Sequence, residues 1–195
     1  MKNIKPKFWS KNYYNFFSIV LLPISLLYQF FLFFYKKVAV SKKFDIPIIC
    51  IGNVYIGGTG KTPLTIELFN ILKEMNKKPA IVKKNYKKHY DEINFIKSKS
   101  RDIFTSSKRG DAITNAQNAK HDVIILDDGF QDYSIKKDLN IVCFNEKQLA
   151  GNNHTLPSGP LRESLSSLKK CQIVVIHGEK NKKFDPPYDP KPHFK

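Results

Sequence analysis

Short apolar runs alternate with amphipathic stretches along most of the chain from about residue 44 onward. The unbroken apolar run at 123–126 predicts a buried strand, and the Leu and Ile stripe along 62–75 predicts a helix. We predict further strands at 46–51, 79–82, 102–105, 139–144 and 172–176, and further helices at 111–119 and 161–170. Such alternation favours an α/β fold: a mainly parallel sheet flanked by helices on both faces, with ligands at the carboxyl ends of the strands.

A different pattern occupies the N-terminal region. Residues 16–35 carry no charge and are rich in Leu, Ile and Phe, which is enough length to span a hydrocarbon core. Polar side chains nevertheless recur on one helical face. They are Lys11, Asn15, Ser18, Ser25, Gln29 and Lys36. The pattern predicts an N-terminal membrane-associated helix, kinked near Pro23, and leaves two alternatives open: a helix lying on the membrane surface or a tilted spanning helix packed on protein.

These patterns divide the chain into three parts. Residues 1–43 form the membrane-associated helix and its basic flanks, and residues 44–178 form the core domain. Residues 179–195 are polar and proline-rich, so we expect a disordered tail.

Charge and cysteine content narrow the partners. A formal net charge of +16 suits a phospholipid surface, a phosphorylated substrate or nucleic acid, although a solvated lysine surface explains it equally well. No nucleic-acid partner is expected, because no basic-aromatic binding motif is present. The three cysteines are far apart and odd in number, which predicts reduced core residues rather than a disulfide or a zinc site.

A glycine-rich segment between the first predicted strand and its helix indicates phosphate chemistry. It reads Gly52-Asn53-Val54-Tyr55-Ile56-Gly57-Gly58-Thr59-Gly60-Lys61-Thr62. Residues 55–60 are expected to offer backbone N–H groups to nucleotide phosphates, Lys61 to add positive charge, and Thr62 to ligate Mg²⁺. The general pattern has Gly where Tyr55 stands, and the neighbouring glycines compensate in part. ATP and Mg²⁺ are therefore the expected cofactors.

A second acidic element follows the strand predicted at 123–126. Asp127 and Asp128 end an apolar run, as in the Walker B pattern, where a carboxylate lies beside the phosphate loop and holds Mg²⁺ directly or through water. A strand that ends in Asp-Gly is also ordinary turn chemistry, but the pairing with Lys61 and Thr62 favours the metal interpretation.

Four stretches together resemble one known family. They are the apolar N-terminal helix, the loop from Gly52 to Pro63, the motif Asp127-Asp128-Gly129-Phe130-Gln131-Asp132-Tyr133, and the motif Leu156-Pro157-Ser158-Gly159-Pro160-Leu161-Arg162-Glu163. The chain resembles the tetraacyldisaccharide 4'-kinases, the lipid A 4'-kinases of Gram-negative bacteria, from about residue 9 to about 178. The family's own variant of the phosphate loop also accounts for Tyr55.

The resemblance implies a P-loop NTPase-like kinase fold and a reaction. ATP would phosphorylate the 4'-hydroxyl of a tetraacylated glucosamine disaccharide 1-phosphate, at the cytoplasmic face of the bacterial inner membrane among its phospholipids. Lys61 and Asp128 would act in catalysis, and Asp91 would accept the hydroxyl proton. Arg109 and Arg162 would contact the anionic substrate.

The chain also departs from the family pattern. Tyr90 stands where a Gly precedes the catalytic Asp, and Lys83-Lys84-Asn85-Tyr86-Lys87 replaces a Ser-Arg-Gly-Tyr-Gly pattern. The sequence also ends before the region that carries the family's histidine partner of the base, so we expect a C-terminally truncated copy, a degenerate copy, or one half of a split enzyme. A nucleotide-binding membrane protein without turnover and a membrane-associated P-loop ATPase are the alternative functions.

Overall fold

The structure is a computed structural model that describes residues 5–10, 15–85, 90–100 and 102–178. The tail predicted for 179–195 lies outside the described residues.

One parallel sheet forms the core of the described chain. Its six strands are β1 (Ile48–Gly52), β2 (Pro79–Lys84), β3 (Ile103–Ser106), β4 (Val123–Asp127), β5 (Leu139–Asn145) and β6 (Ile173–His177). Their spatial order is β3-β2-β4-β1-β5-β6, and every neighbouring pair is parallel. The predicted α/β architecture is confirmed, and the carboxyl ends of β1, β4 and β2 lie side by side.

The described residues form five α-helices. They are α1 (Phe16–Val20), α2 (Leu22–Val38), α3 (Lys61–Glu74), α4 (Tyr90–Lys99) and α5 (Arg109–Asn118). The last three of them pack on the two faces of the sheet. Side chains alternate along β4, so that Ile125 packs with α3 and α4 side chains while Ile124 and Leu126 pack with those of α5. Both faces of β4 are therefore buried, which explains its uninterrupted apolar sequence from Val123 to Leu126.

One helix prediction is wrong, and one helix was not predicted. The helix predicted over 161–170 is present only as a 3-10 helix, Leu165–Lys170. The residues before it stay extended because Leu161 bridges to Tyr55 and Arg162 N donates to the Val54 carbonyl. Conversely, α4 follows β2 in the structure, although its modest apolar pattern gives no clear signal in the sequence.

The N-terminal apolar segment is broken, as its proline predicts. α1 ends at Val20, and α2 begins at Leu22 with Pro23 in its first turn, where a proline is tolerated. Within the described ranges, none of the helices combines the length and the apolar character that a membrane crossing requires.

The polar stripe of α1 and α2 faces the protein. Ser18 Oγ donates to the Ser158 carbonyl at 2.9 Å, Ser25 Oγ donates to the Thr155 carbonyl at 3.0 Å, and Gln29 Nε2 donates to Thr155 Oγ1 at 2.9 Å. The opposite, apolar side is exposed. Its side chains include Phe16, Phe17, Ile19, Val20, Ile24, Leu26, Leu27, Phe30, Phe31, Phe33 and Phe34. We call these side chains the exposed apolar face. An ordinary surface helix turns its apolar side toward the protein, whereas these helices turn theirs outward.

Candidate active site

The loop between β1 and α3 lines a cleft of about 620 Å³, which we call the nucleotide cleft. Gly60 has φ +78°, a left-handed conformation that lets the chain turn directly into Lys61, the first residue of α3. The unsatisfied N–H groups of a helix N-terminus, together with its dipole, favour an anion at this position. Residues 56–62 all line the cleft, so the loop is arranged to hold phosphates.

The predicted acidic pair enters the same cleft from β4. Asp127 is the last residue of β4 and pairs in register with Ile51 of β1. Asp128 follows in a left-handed turn with φ +59°, which an Asp tolerates better than most residues. This turn places Asp128 Oδ1 3.7 Å from Lys61 Nζ. The structure thus brings together the lysine and the acidic pair that the sequence singles out.

Positive charge surrounds Asp128. Arg162 Nη1 lies 3.3 Å from Asp128 Oδ1, and Arg109 Nη2 donates to the Asp128 carbonyl at 2.6 Å. Burial alone would raise the pKa of Asp128, but the charges of Lys61 and Arg162 outweigh it and hold that pKa below its usual value. Asp128 is therefore a carboxylate at neutral pH.

Arg162 reaches the cleft because the motif at 156–163 is bound to the phosphate loop. Arg162 N donates to the Val54 carbonyl at 2.8 Å, and Ile56 N donates to the Pro160 carbonyl at 2.9 Å. On its other side this motif carries the polar contacts to α1 and α2. The N-terminal helices, the motif and the phosphate loop therefore form one continuous set of contacts.

Arg109 is held mainly by protein groups. Its Nη1 lies 3.0 Å from Asp132 Oδ2, and its side chain is largely buried while still lining the nucleotide cleft. Its position agrees with a role at the anionic end of a ligand, as the resemblance implies, and its buried Nε has no hydrogen-bond partner among the described residues.

Two of the predicted residues do not line the cleft. Tyr55 is fully buried, its ring packs against Phe144, and its hydroxyl accepts a hydrogen bond from Asn145 N at 2.7 Å. A large side chain replaces the usual Gly here because it fills the core beneath the loop. Asp91 lies exposed in the first turn of α4, whereas the next residue, Glu92, does line the cleft.

Lys83 is a cleft residue that was not predicted from the sequence. Lys83 lies near the carboxyl end of β2, in register with Asp127, and its ammonium contacts both the Asp127 carboxylate and Glu92 Oε2, the latter at 2.7 Å. Burial opposes the charge, but the two carboxylates outweigh it, so the pKa of Lys83 is raised. The sequence shows only that a basic residue directly follows the strand predicted at 79–82, and the pairing of Lys83 with Asp127 depends on the register of β2 and β4.

A second cleft of about 920 Å³, which we call the acceptor cleft, opens beside the first. The two clefts share Ile56, Lys84, Arg109, Asp128 and Arg162. From these shared residues the acceptor cleft extends to side chains of α2. They are Tyr28, Leu32 and Tyr35. It therefore connects the nucleotide cleft with the N-terminal helices.

A parallel sheet with a glycine-rich loop into a helix N-terminus, a loop lysine and an acidic pair on the adjacent strand defines a P-loop NTPase-like protein. A family model described as Tetraacyldisaccharide-1-P 4'-kinase matches residues 17–194. The chain belongs to this family, as its four motifs indicate.

Individual relatives agree. A tetraacyldisaccharide 4'-kinase of Pelagibacter ubique is 44% identical over 181 residues, covering 91% of this chain and 56% of the relative. One of Rickettsia bellii is 34% identical over 198 residues, covering 91% of this chain and 60% of the relative. The chain thus spans somewhat more than half the length of these curated relatives.

A solved structure gives the same result. The apo form of LpxK from Aquifex aeolicus, crystallised in complex with ATP, superposes with a TM-score of 0.76 at 27% sequence identity, covering 90% of this chain and 63% of that chain.

Proposed function

We propose that this chain transfers the γ-phosphate of ATP to the 4'-hydroxyl of a tetraacylated glucosamine disaccharide 1-phosphate, a precursor of lipid A. The carrying observation is the 3.7 Å approach of Lys61 Nζ to Asp128 Oδ1 inside a cleft that the phosphate loop lines. Membership of the tetraacyldisaccharide 4'-kinase family supplies the reaction and the substrate class.

The residues present fit Mg²⁺. Asp127 Oδ1 is buried and has no hydrogen-bond partner among the described residues, so one oxygen remains available for a metal or its water shell. Thr62 and Asp128 line the same cleft, and hydroxyl and carboxylate oxygens are ligands that Mg²⁺ prefers. We assign Thr62, Asp127 and Asp128 as the metal-binding residues. When bound, Mg²⁺ neutralises charge on the transferring phosphate.

The chain's own groups supply the remaining steps. Residues 57–60 and the N-terminus of α3 would orient the β- and γ-phosphates, because the Ile56 N–H already donates to the Pro160 carbonyl. Lys61 would stabilise negative charge in the transition state. Arg109 and Arg162, at the junction of the two clefts, would hold the anionic groups of the acceptor against the nucleotide. Asp91 remains our proposed proton acceptor, and reaching the hydroxyl requires α4 to move, because Asp91 lies outside the cleft lining.

We also propose that the chain works at the cytoplasmic face of the bacterial inner membrane. The exposed apolar face would contact phospholipid acyl chains, and the acceptor cleft beside α2 would receive the acylated sugar from the same surface. ATP is available on the cytoplasmic side. A further proposed partner is a separately encoded polypeptide that corresponds to the part of the relatives that this chain does not cover.

The test is phosphorylation of the disaccharide 1-phosphate lipid by the purified chain with labelled ATP, with and without a polypeptide that supplies the unmatched part. We expect Lys61→Ala to reduce transfer at least ~100-fold, since a lysine that neutralises transition-state charge contributes several kcal/mol. Lys73→Ala is the matched control, because Lys73 is exposed, does not line the nucleotide cleft, and contacts Asp102 at 3.4 Å and the Phe69 ring.

The outcomes separate the candidate functions. Lipid phosphorylation that depends on Lys61 supports the kinase. Phosphate release without any lipid product would favour a P-loop ATPase, and nucleotide binding without either product would favour a protein that has lost turnover. Equal transfer by Lys61→Ala and wild type would contradict the assignment of the phosphate loop.

A further inference from the structure

We propose that the Lys83 ammonium is a built-in positive charge of the nucleotide cleft, and that it makes nucleotide binding by this chain largely independent of divalent metal. Below, resident cation means this ammonium in that role. The proposal deepens the proposed function and rests on it, since it concerns the same nucleotide site.

The position of Lys83 in the sheet supports this proposal. Lys83 is in register with Asp127 on the neighbouring strand, so the backbone itself fixes the lysine beside the acidic pair. Lys83 lines the same cleft as Lys61 and Thr62, and only 5% of it is exposed. A buried ammonium at this point faces the space that the phosphate loop reserves for phosphates.

The contacts of Lys83 also support the proposal. One oxygen of the Asp127 carboxylate, Oδ2, accepts from the Lys83 ammonium, and Glu92 Oε2 accepts from it at 2.7 Å. A metal ion that approaches Asp127 Oδ1 therefore meets a carboxylate whose other oxygen is already paired with an ammonium. An ammonium on a flexible four-carbon stem has three donors, so it can keep one carboxylate contact and still donate to a phosphate oxygen.

The net charge of the nucleotide cleft supports the proposal as well. The described residues that line the nucleotide cleft include six basic side chains against three acidic ones. The basic set is Lys5, Lys61, Lys83, Lys84, Arg109 and Arg162, and the acidic set is Glu92, Asp127 and Asp128. This excess of positive charge offsets much of the negative charge of a triphosphate without an added cation, and Lys83 is the member of the set that contacts Asp127.

The alternative is a purely structural ion pair that merely satisfies Asp127. A structural pair would affect folding, whereas a resident cation also changes the ratio between nucleotide affinities with and without metal. That ratio is therefore the deciding measurement.

The experiment is isothermal titration of the purified full chain with a non-hydrolysable ATP analogue, once with excess MgCl₂ and once with EDTA. We expect wild type to show an affinity ratio of about 3 or less, and Lys83→Ser to show a ratio of about 10 or more, where tenfold corresponds to about 1.4 kcal/mol. Lys83→Arg keeps the charge and should restore a ratio close to wild type. Lys73→Ser removes an exposed lysine from α3 and should leave the ratio unchanged.

A second variant covers the case in which Lys83→Ser does not fold because Asp127 is left unpaired. Glu92 is half-exposed on α4, so Glu92→Gln is expected to fold. It releases the Lys83 ammonium from one carboxylate and should tighten binding in EDTA by about 3-fold or more, in line with an ion-pair contribution below 1 kcal/mol.

Three results would overturn the proposal. An equal ratio in wild type and Lys83→Ser would show that the ammonium does not replace metal, while nucleotide binding itself would leave the proposed function intact. Binding of the analogue by the wild-type chain only in the presence of Mg²⁺ would also show that the ammonium does not replace metal. Failure to bind the analogue in either condition would contradict both this proposal and the proposed function.

Discussion

At the scale of single residues, the carboxylate of Asp128 is the point where the charges of the site meet. Lys61 and Arg162 lie within 3.7 Å and 3.3 Å of Asp128 Oδ1 and lower the pKa of Asp128 against the opposing effect of burial. A carboxyl group with a lowered folded-state pKa stabilises the fold above its unfolded pKa of about 3.9 and loses that contribution as the pH falls through the folded value.

Asp128→Asn should therefore destabilise the chain in a pH-dependent way. Near pH 7 we expect a loss of about 1 kcal/mol, because the charged contacts are partly exposed. Below about pH 4, where the wild-type carboxyl group also becomes protonated, the difference should shrink. Urea unfolding of both proteins between pH 3 and 7 measures it, and a difference that stays constant across this range would contradict the charge assignment.

The proton acceptor is a second residue-scale question. If Asp91 accepts the proton of the sugar hydroxyl, Asp91→Asn should slow phosphoryl transfer by about 10²-fold or more with little change in the affinity for ATP analogues. Transfer rates and analogue binding measure the two effects separately. Glu74→Gln, at the end of α3, is the control for loss of one exposed carboxylate. A normal rate in Asp91→Asn would leave the acceptor role to another carboxylate of the cleft.

Residue-level prediction succeeded where local sequence alone determines position. Lys61 and Asp128 follow directly from strand ends and glycine turns, so their proximity was predictable. Tyr55 and Lys83 were not, because the burial of Tyr55 depends on packing against β5, and the contact between Lys83 and Asp127 depends on strand register across β2 and β4. Register between distant strands leaves no mark in a single sequence.

At the scale of elements, α1 and α2 are amphipathic in the reverse sense. Ser18 and Ser25 are buried in hydrogen bonds to Ser158 of the motif at 156–163, while Leu26 and Phe31 are each 64% exposed. The sequence predicted both the polar stripe and the break near Pro23, but it could not decide which side of the helix faces the protein. That decision depends on polar partners far away in the chain.

The exposed apolar face predicts binding to lipid. Replacing Leu26 and Phe31 together by Ser should lower partitioning onto phosphatidylglycerol-containing vesicles by more than about 10-fold, because burying each large apolar side chain contributes about 1.5–3 kcal/mol. Flotation of vesicles with the purified chain measures it. Met75 and Phe95 are also exposed apolar residues, but they lie outside the N-terminal helices, so their double Ser variant is the matched control. Equal flotation of both variants would contradict a lipid role for this face.

The segment at 154–163 shows how an element can be misassigned. A local helical pattern extends through 161–170, but the contacts of Leu161 with Tyr55 and of Arg162 with Val54 hold its start in an extended form. Tertiary contacts thus outweigh local propensity here. The same contacts carry Arg162 into the nucleotide cleft, so the departure from the predicted helix is what completes the site.

At the scale of the whole molecule, the nucleotide cleft and the acceptor cleft meet at four charged residues. Lys84, Arg109, Asp128 and Arg162 line both clefts. A ligand in one cleft must therefore change the charge environment and the side-chain order that the other ligand meets. Binding in the two clefts should be coupled, and thermodynamic linkage requires the coupling to be equal in both directions.

We expect the disaccharide 1-phosphate lipid to strengthen binding of a non-hydrolysable ATP analogue by about 5-fold or more, and the analogue to strengthen lipid binding by the same factor. Arg162→Ala should bring the factor close to one, because the guanidinium that contacts Asp128 and borders both ligands is then absent. Titrations of each ligand in the absence and presence of the other, in detergent micelles, give both factors, and Lys73→Ala is the control for loss of a distant positive charge. A factor of one in the wild-type chain, or an unchanged factor in Arg162→Ala, would mean that the two clefts act independently despite the residues they share.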